Sequence, residues 1–141
     1  MEEKSTGDLM VELMKLGSFE RYMKENKNVI VTASVADLLN QILERKGLSR
    51  ARVAKDSGLN EIYAYQVMAG KRTPSRDKAL CLCVAIGLTL EEIQGFLKMC
   101  GYAPLYPRRK RDAVILFALK ERQRVTAINE ALFSQGEKTL C

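Results

Sequence analysis

The chain has 141 residues, 47% of them hydrophobic and only 6% aromatic, with a formal charge of +6 at pH 7 and a pI near 9.2. That length accommodates one domain with appendages and a modest core, and the basic balance suits a polyanionic partner. Histidine and any glycine-rich phosphate loop are absent, and the carboxylates are scattered singly or sit in capping positions, so the expectation is a non-enzymatic protein that works without a cofactor.

Leu, Ala, Val, Met, Lys and Glu dominate, and helical periodicity recurs along most of the chain. The expected fold class is therefore all-α. There is no apolar run near eighteen residues and no signal-peptide pattern, which leads us to expect a cytoplasmic protein that does not span a membrane. Three regions follow one another: an N-terminal helical extension (1–33), a central five-helix domain (34–103), and a basic linker with a C-terminal helix pair (104–141). Charge is uneven, with five basic against six acidic residues in 1–33, ten against seven in 34–104, and eight against four in 105–141.

In the first region Asp8 is placed to cap a short helix over residues 9–16, and Ser18 another over 19–26. Leu9, Leu13 and Leu16 make one apolar stripe, and Phe19, Tyr22 and Met23 a second. Each needs cover from the central domain or from a partner subunit. A short apolar link follows at 28–32.

The central region opens with a helix over 36–46, carrying Leu38, Leu39, Ile42 and Leu43 at helical spacing. Ser49 caps a second helix over 50–56, in which Val53 and Ala54 point inward. Ala54 is small because the next helix crosses close over it. Gly58 suits a left-handed turn position after Ser57, and Leu59 plugs the core beneath. Asn60 caps a third helix over 61–69, with Ala64 and Val67 on its inner face, and Gly70 stops it. Pro74 bars continuation, Ser75 caps a fourth helix over 76–86, and Thr89 with Glu92 forms a capping box for a fifth over 90–99.

Two short helices joined by a tight turn and closed by Gly70-Lys71-Arg72-x-Pro74 resemble the helix-turn-helix of the Xre/Cro-type, phage-repressor-like regulators. The resemblance covers residues 36–97, the whole five-helix domain of that family. Residues 87–93 look like the family's link between its last two helices. With extensions at both ends, the whole chain resembles bacterial Xre-like proteins. The resemblance implies a sequence-specific regulator of transcription that binds double-stranded DNA as a homodimer.

In the family, the start of the second helix of the motif and the residues one turn on face the major groove. The matching positions here are Asn60, Glu61, Ile62, Tyr63 and Gln66. Gln66 is able to pair bidentately with adenine, Asn60 to do likewise or bind a phosphate, and Ile62 to meet a thymine methyl. Tyr63 suits a phosphate or a sugar face. Glu61 departs from the usual basic or small polar residue; it can accept from cytosine but repels phosphates. Tyr65 is bulky and shapes the edge of the contact. Met68 stands where the family often has a glutamate, so a structural ion pair of the family is expected to be absent. Arg50, Arg52, Lys71, Arg72 and Arg76, with Lys78 beside it at the start of the fourth helix, flank this helix as phosphate-contact candidates. The bland alternative is a solvated or protein-binding face, since Ile62, Tyr63 and Tyr65 make an aromatic, apolar patch. A non-enzymatic protein adaptor is thus the rival function.

The third region begins with a turn-rich stretch holding Pro104 and Pro107. Arg108, Arg109, Lys110 and Arg111 follow, as an accessory phosphate-binding arm, a partner site or a solvated linker. Asp112 is expected to cap a helix whose residues 113–119 are apolar nearly all round. Val125, Ile128, Leu132 and Phe133 mark a final helix ended by Gly136. This helix pair is expected to pack partly on the domain and partly on a second copy. Of Cys81, Cys83, Cys100 and Cys141, Cys83 is expected in the core and the others as incidental reduced thiols. No metal site is expected from that spacing.

Overall fold

A computed structural model of the protein describes Met10 and residues 34–141. Apart from Met10, the helices expected over 9–16 and 19–26 and the link behind them lie outside the described residues. The described residues hold seven α-helices and no strand: α1 (Val35–Lys46), α2 (Arg50–Asp56), α3 (Glu61–Met68), α4 (Arg76–Ile86), α5 (Leu90–Met99), α6 (Lys110–Lys120) and α7 (Val125–Ser134).

The first five helices begin where a side chain satisfies an orphan backbone N–H. Ser34, Ser49, Asn60, Ser75 and Thr89 each accept from the third residue of the helix they precede. Glu92 completes a capping box by accepting from the Thr89 amide at 3.0 Å. That amide bond holds the Glu92 carboxyl below the usual carboxylate range. Helix α1 starts one residue earlier than the sequence pattern suggests because Ser34 takes the cap.

Helix α4 is central. Residues 79–83, five in a row, are all buried, because α2, α5 and α7 pack around it. Cys81 therefore joins Cys83 in the core, a correction to the expectation that only Cys83 is structural. Burial raises both thiols far above their ordinary range, and raises the half-buried Cys100 to about 11. All three stay protonated and inert at neutral pH.

Residues 34–141 belong to one compact unit, and the C-terminal helices share its core. Leu105, Ile115, Ala118, Val125, Ile128 and Leu132 belong to the same buried cluster as Leu39, Val53, Val67 and Leu80. The two connecting prolines do not make a loose linker. The Tyr102 hydroxyl donates to the Pro74 carbonyl. The Gln94 amide pairs with the Leu105 backbone in both directions, at 2.9 and 2.7 Å.

Helix α6 corrects the expected capping. It starts at Lys110, and Arg109 is its cap residue without a side-chain bond. Asp112 instead lies inside the first turn, 5% exposed, and is bonded across the structure to Arg76. Of the apolar run, Ile115, Ala118 and Leu119 are buried and Ala113, Val114 and Leu116 half-buried, while Phe117 faces outward.

Candidate functional site

Helices α2 and α3 meet through residues 57–60. Ser57 is fully buried, and its hydroxyl donates to the Ala54 carbonyl at 2.8 Å and accepts from the Leu59 amide at 3.2 Å. Gly58 takes φ +75°, and a Cβ there would come within 3.2 Å of both Val125 and the Cys141 sulfur. The left-handed backbone favours glycine at this position, and a side chain would in addition press on Val125 and the Cys141 sulfur. Ala54, Ala64 and Val67 are buried at the crossing, which lets the two short helices approach closely.

Helix α3, which ends at Met68 with Ala69 as its C-cap, one residue short of the expected 61–69, presents Ile62, Tyr65 and Gln66 along one outward stripe, spaced i, i+3 and i+4, with Glu61 at its leading end. Ile62 is 70% exposed and Tyr65 40%, while Gln66 is half-buried at the border of the stripe. Tyr63 stands apart from the other sequence-derived candidates. It packs against the core, and the Lys78 ammonium lies 4.5 Å from its ring centre. Asn60 spends its side-chain oxygen on the Tyr63 amide as the helix cap.

The cations around this helix fall into two groups. Lys71 and Arg72 are exposed immediately after α3 and make no ion pair among the described residues. Arg52 makes only a loose contact, 3.8 Å to Asp56 on an exposed turn. Arg50 opens α2 and donates through Nε to Asn40 at 3.1 Å.

Arg76 is committed elsewhere. Its guanidinium donates to both Asp112 oxygens at 3.0 Å and to the carbonyls of Ala103 and Pro104. Burial on its own would raise the Asp112 carboxyl. The Arg76 hydrogen bonds and the Tyr106 amide outweigh that and hold it below the usual range. Arg111 mirrors Arg76. It donates to both oxygens of Asp77 at 2.9 and 3.0 Å and to the carbonyls of Lys138 and Thr139. Lys110 reaches the Gln135 carbonyl at 2.8 Å. Of the four basic residues at 108–111, only Arg108 and Arg109 are exposed without such a bond among the described residues.

Sequence reasoning passed over one residue, Asn40, which lies on α1, where nothing in the pattern distinguishes it from a solvent-facing asparagine. Tyr65, expected at the edge of the contact, belongs in the outward stripe, and Lys78 lies beside α3 over the Tyr63 ring. Among the described residues no group of three or more Cys, Asp or Glu is placed to hold a metal ion, and no helix is long and apolar enough to cross a membrane. Comparison with protein-family models, with curated proteins and with solved structures finds no match.

Proposed function

We propose that the protein is a sequence-specific DNA-binding regulator of transcription, with α2 and α3 as a helix-turn-helix and α3 as the helix that enters the major groove. The observation that carries this reading is the outward stripe of α3, bordered by Arg50 and Arg52 at the start of α2 and by Lys71 and Arg72 after α3. A short helix with exposed side chains and cations at both flanks matches what a phosphate-lined groove demands. Gln66 offers the bidentate base contact, Ile62 the methyl contact, and the flanking cations bind phosphates. Arg76 leaves the phosphate set because Asp112 occupies it, while Lys78, exposed beside Tyr63, stays in it. The protein acts without catalysis and as a homodimer, because one such helix alone contacts too few bases to be selective.

Ile62 and Tyr65 also suit a protein contact, which is the rival reading. Retention of pooled random duplexes across a salt series separates the two. A steep salt dependence with enrichment of particular sequences supports the regulator. No retention even at low salt refutes it and favours an adaptor.

A further inference from the structure

We infer that Asn40 is a positioning residue that holds Arg50 as a preset phosphate clamp and locks it to the end of α3; this rests on the DNA-binding reading above. The Asn40 side chain uses both amide hydrogens and its oxygen. Nδ2 donates to the Ala36 carbonyl within α1 and to the Met68 carbonyl of α3, each at 2.8 Å, while Oδ1 accepts from Arg50 Nε at 3.1 Å. One half-buried amide thereby joins α1, the first residue of α2 and the last residue of α3.

The bond to Met68 completes the C-terminus of α3. A helix leaves its last four carbonyls without intrahelical partners. Here Tyr65, Gln66 and Val67 are served by the amides of Ala69, Lys71 and Gly70. The Met68 carbonyl is served by Asn40. The end of the proposed reading helix is thus tied to the scaffold by a side chain, so its tilt is set by α1.

The bond to Arg50 fixes a guanidinium. An arginine held at Nε keeps its plane while both terminal nitrogens stay open for bidentate contact with a phosphate. Neither terminal nitrogen of Arg50 has a hydrogen-bond partner among the described residues. Ordering a free arginine on binding costs affinity that Asn40 removes in advance.

A double-mutant cycle on the full chain tests this, with a mixed-sequence duplex as the probe and anisotropy read across a salt series. Asn40→Ala should weaken binding about five- to tenfold, the equivalent of about 1–1.4 kcal/mol. Arg50→Gln should lower the salt slope by about 0.9. In the Arg50→Gln background Asn40→Ala should cost clearly less, leaving only the part that acts through the Met68 carbonyl. The Arg50 Nε–H resonance of the DNA-free protein should be distinct in the wild type and merge with the bulk arginine signal in Asn40→Ala. An undiminished cost of Asn40→Ala in the Arg50→Gln background overturns the inference, since Asn40 would then act on α3 alone. Failure of the wild type to bind any duplex instead overturns the DNA reading itself. If Asn40→Ala does not fold, Arg50→Lys decides. It keeps the charge but not the Nε hold, so the slope should stay and affinity fall about five- to tenfold. Equal affinity refutes the clamp.

Discussion

Replacing Asp112 with asparagine probes what ties the C-terminal helices to the rest of the unit. The carboxylate accepts three hydrogen bonds, two from Arg76 at 3.0 Å and one from the Tyr106 amide at 2.9 Å. Its side chain is 7% exposed against 24% for Arg76. Asparagine keeps one acceptor but turns an N–H group towards donors, leaving Arg76 without its countercharge. Breaking a buried pair costs about 3–5 kcal/mol, and the partial access of water to Arg76 brings the expected loss to about 2–3 kcal/mol at pH 7. Urea unfolding followed by far-UV circular dichroism reads this directly. The pH dependence supplies a second check. The folded-state carboxyl lies below its ordinary value, so its contribution is full above the unfolded-state value and vanishes as pH falls through the folded one. The gap between wild type and variant should therefore narrow below about pH 4. A loss under about 0.5 kcal/mol at neutral pH, as for an exposed pair, or a gap unchanged down to pH 2, refutes the reasoning.

Three further outcomes are expected. Gln66→Ala should relax base preference in a selection experiment by about 1–3 kcal/mol of discrimination while leaving non-specific affinity nearly intact. Removing Lys71 and Arg72 together should weaken binding to all duplexes alike and lower the salt slope by about two units, at roughly 0.9 per phosphate contact. For assembly, Phe133 is 77% exposed on α7 whereas Leu132 is fully buried, so only Phe133→Asp leaves the core intact. Light scattering should give a dimer for the unmodified protein and a folded monomer for Phe133→Asp; a dimer in both cases places the contact elsewhere.

The local rules explain why the helix borders were legible. Each of the first five helices follows a Ser, Thr or Asn whose side chain caps it, and α2, α4 and α5 have the extents that their capping residues predict. Capping residues act on amides three positions away, so the sequence carries the whole interaction. Asp112 misled for the same reason. An aspartate ahead of an apolar run has the form of a cap, but its partner lies 36 residues back, in Arg76. Cys81 was hidden by α4 being packed on several sides, which removes the one-sided periodicity that marks a core face. Tyr63 and Tyr65 were hard to sort because α3 is apolar on both its inner and its outward face. The tertiary packing tells the two tyrosines apart: Tyr63 lies against the core under Lys78, and Tyr65 faces outward.

The arginines show why residue type alone does not assign a binding role. Arg76 and Asp77 on α4 face Asp112 and Arg111 on α6 in a reciprocal exchange, each arginine gripping one carboxylate with two nitrogens. Such pairs cancel their own field a short distance away and add little attraction for a polyanion. They instead fasten α6, and through it α7, to the domain. Of the basic residues at 108–111, only Arg111 is held by a carboxylate, so the run overstates the charge available there by one. Around α3 the reverse holds. Lys71 and Arg72 have no carboxylate paired with them among the described residues, and Arg50 is held by a neutral amide that leaves its charge intact. A cation kept in place by a neutral group remains able to attract a phosphate, whereas one held by a carboxylate does not. Arg50, Lys71 and Arg72 therefore keep their charge at the flanks of the helix that carries the Ile62–Tyr65–Gln66 stripe.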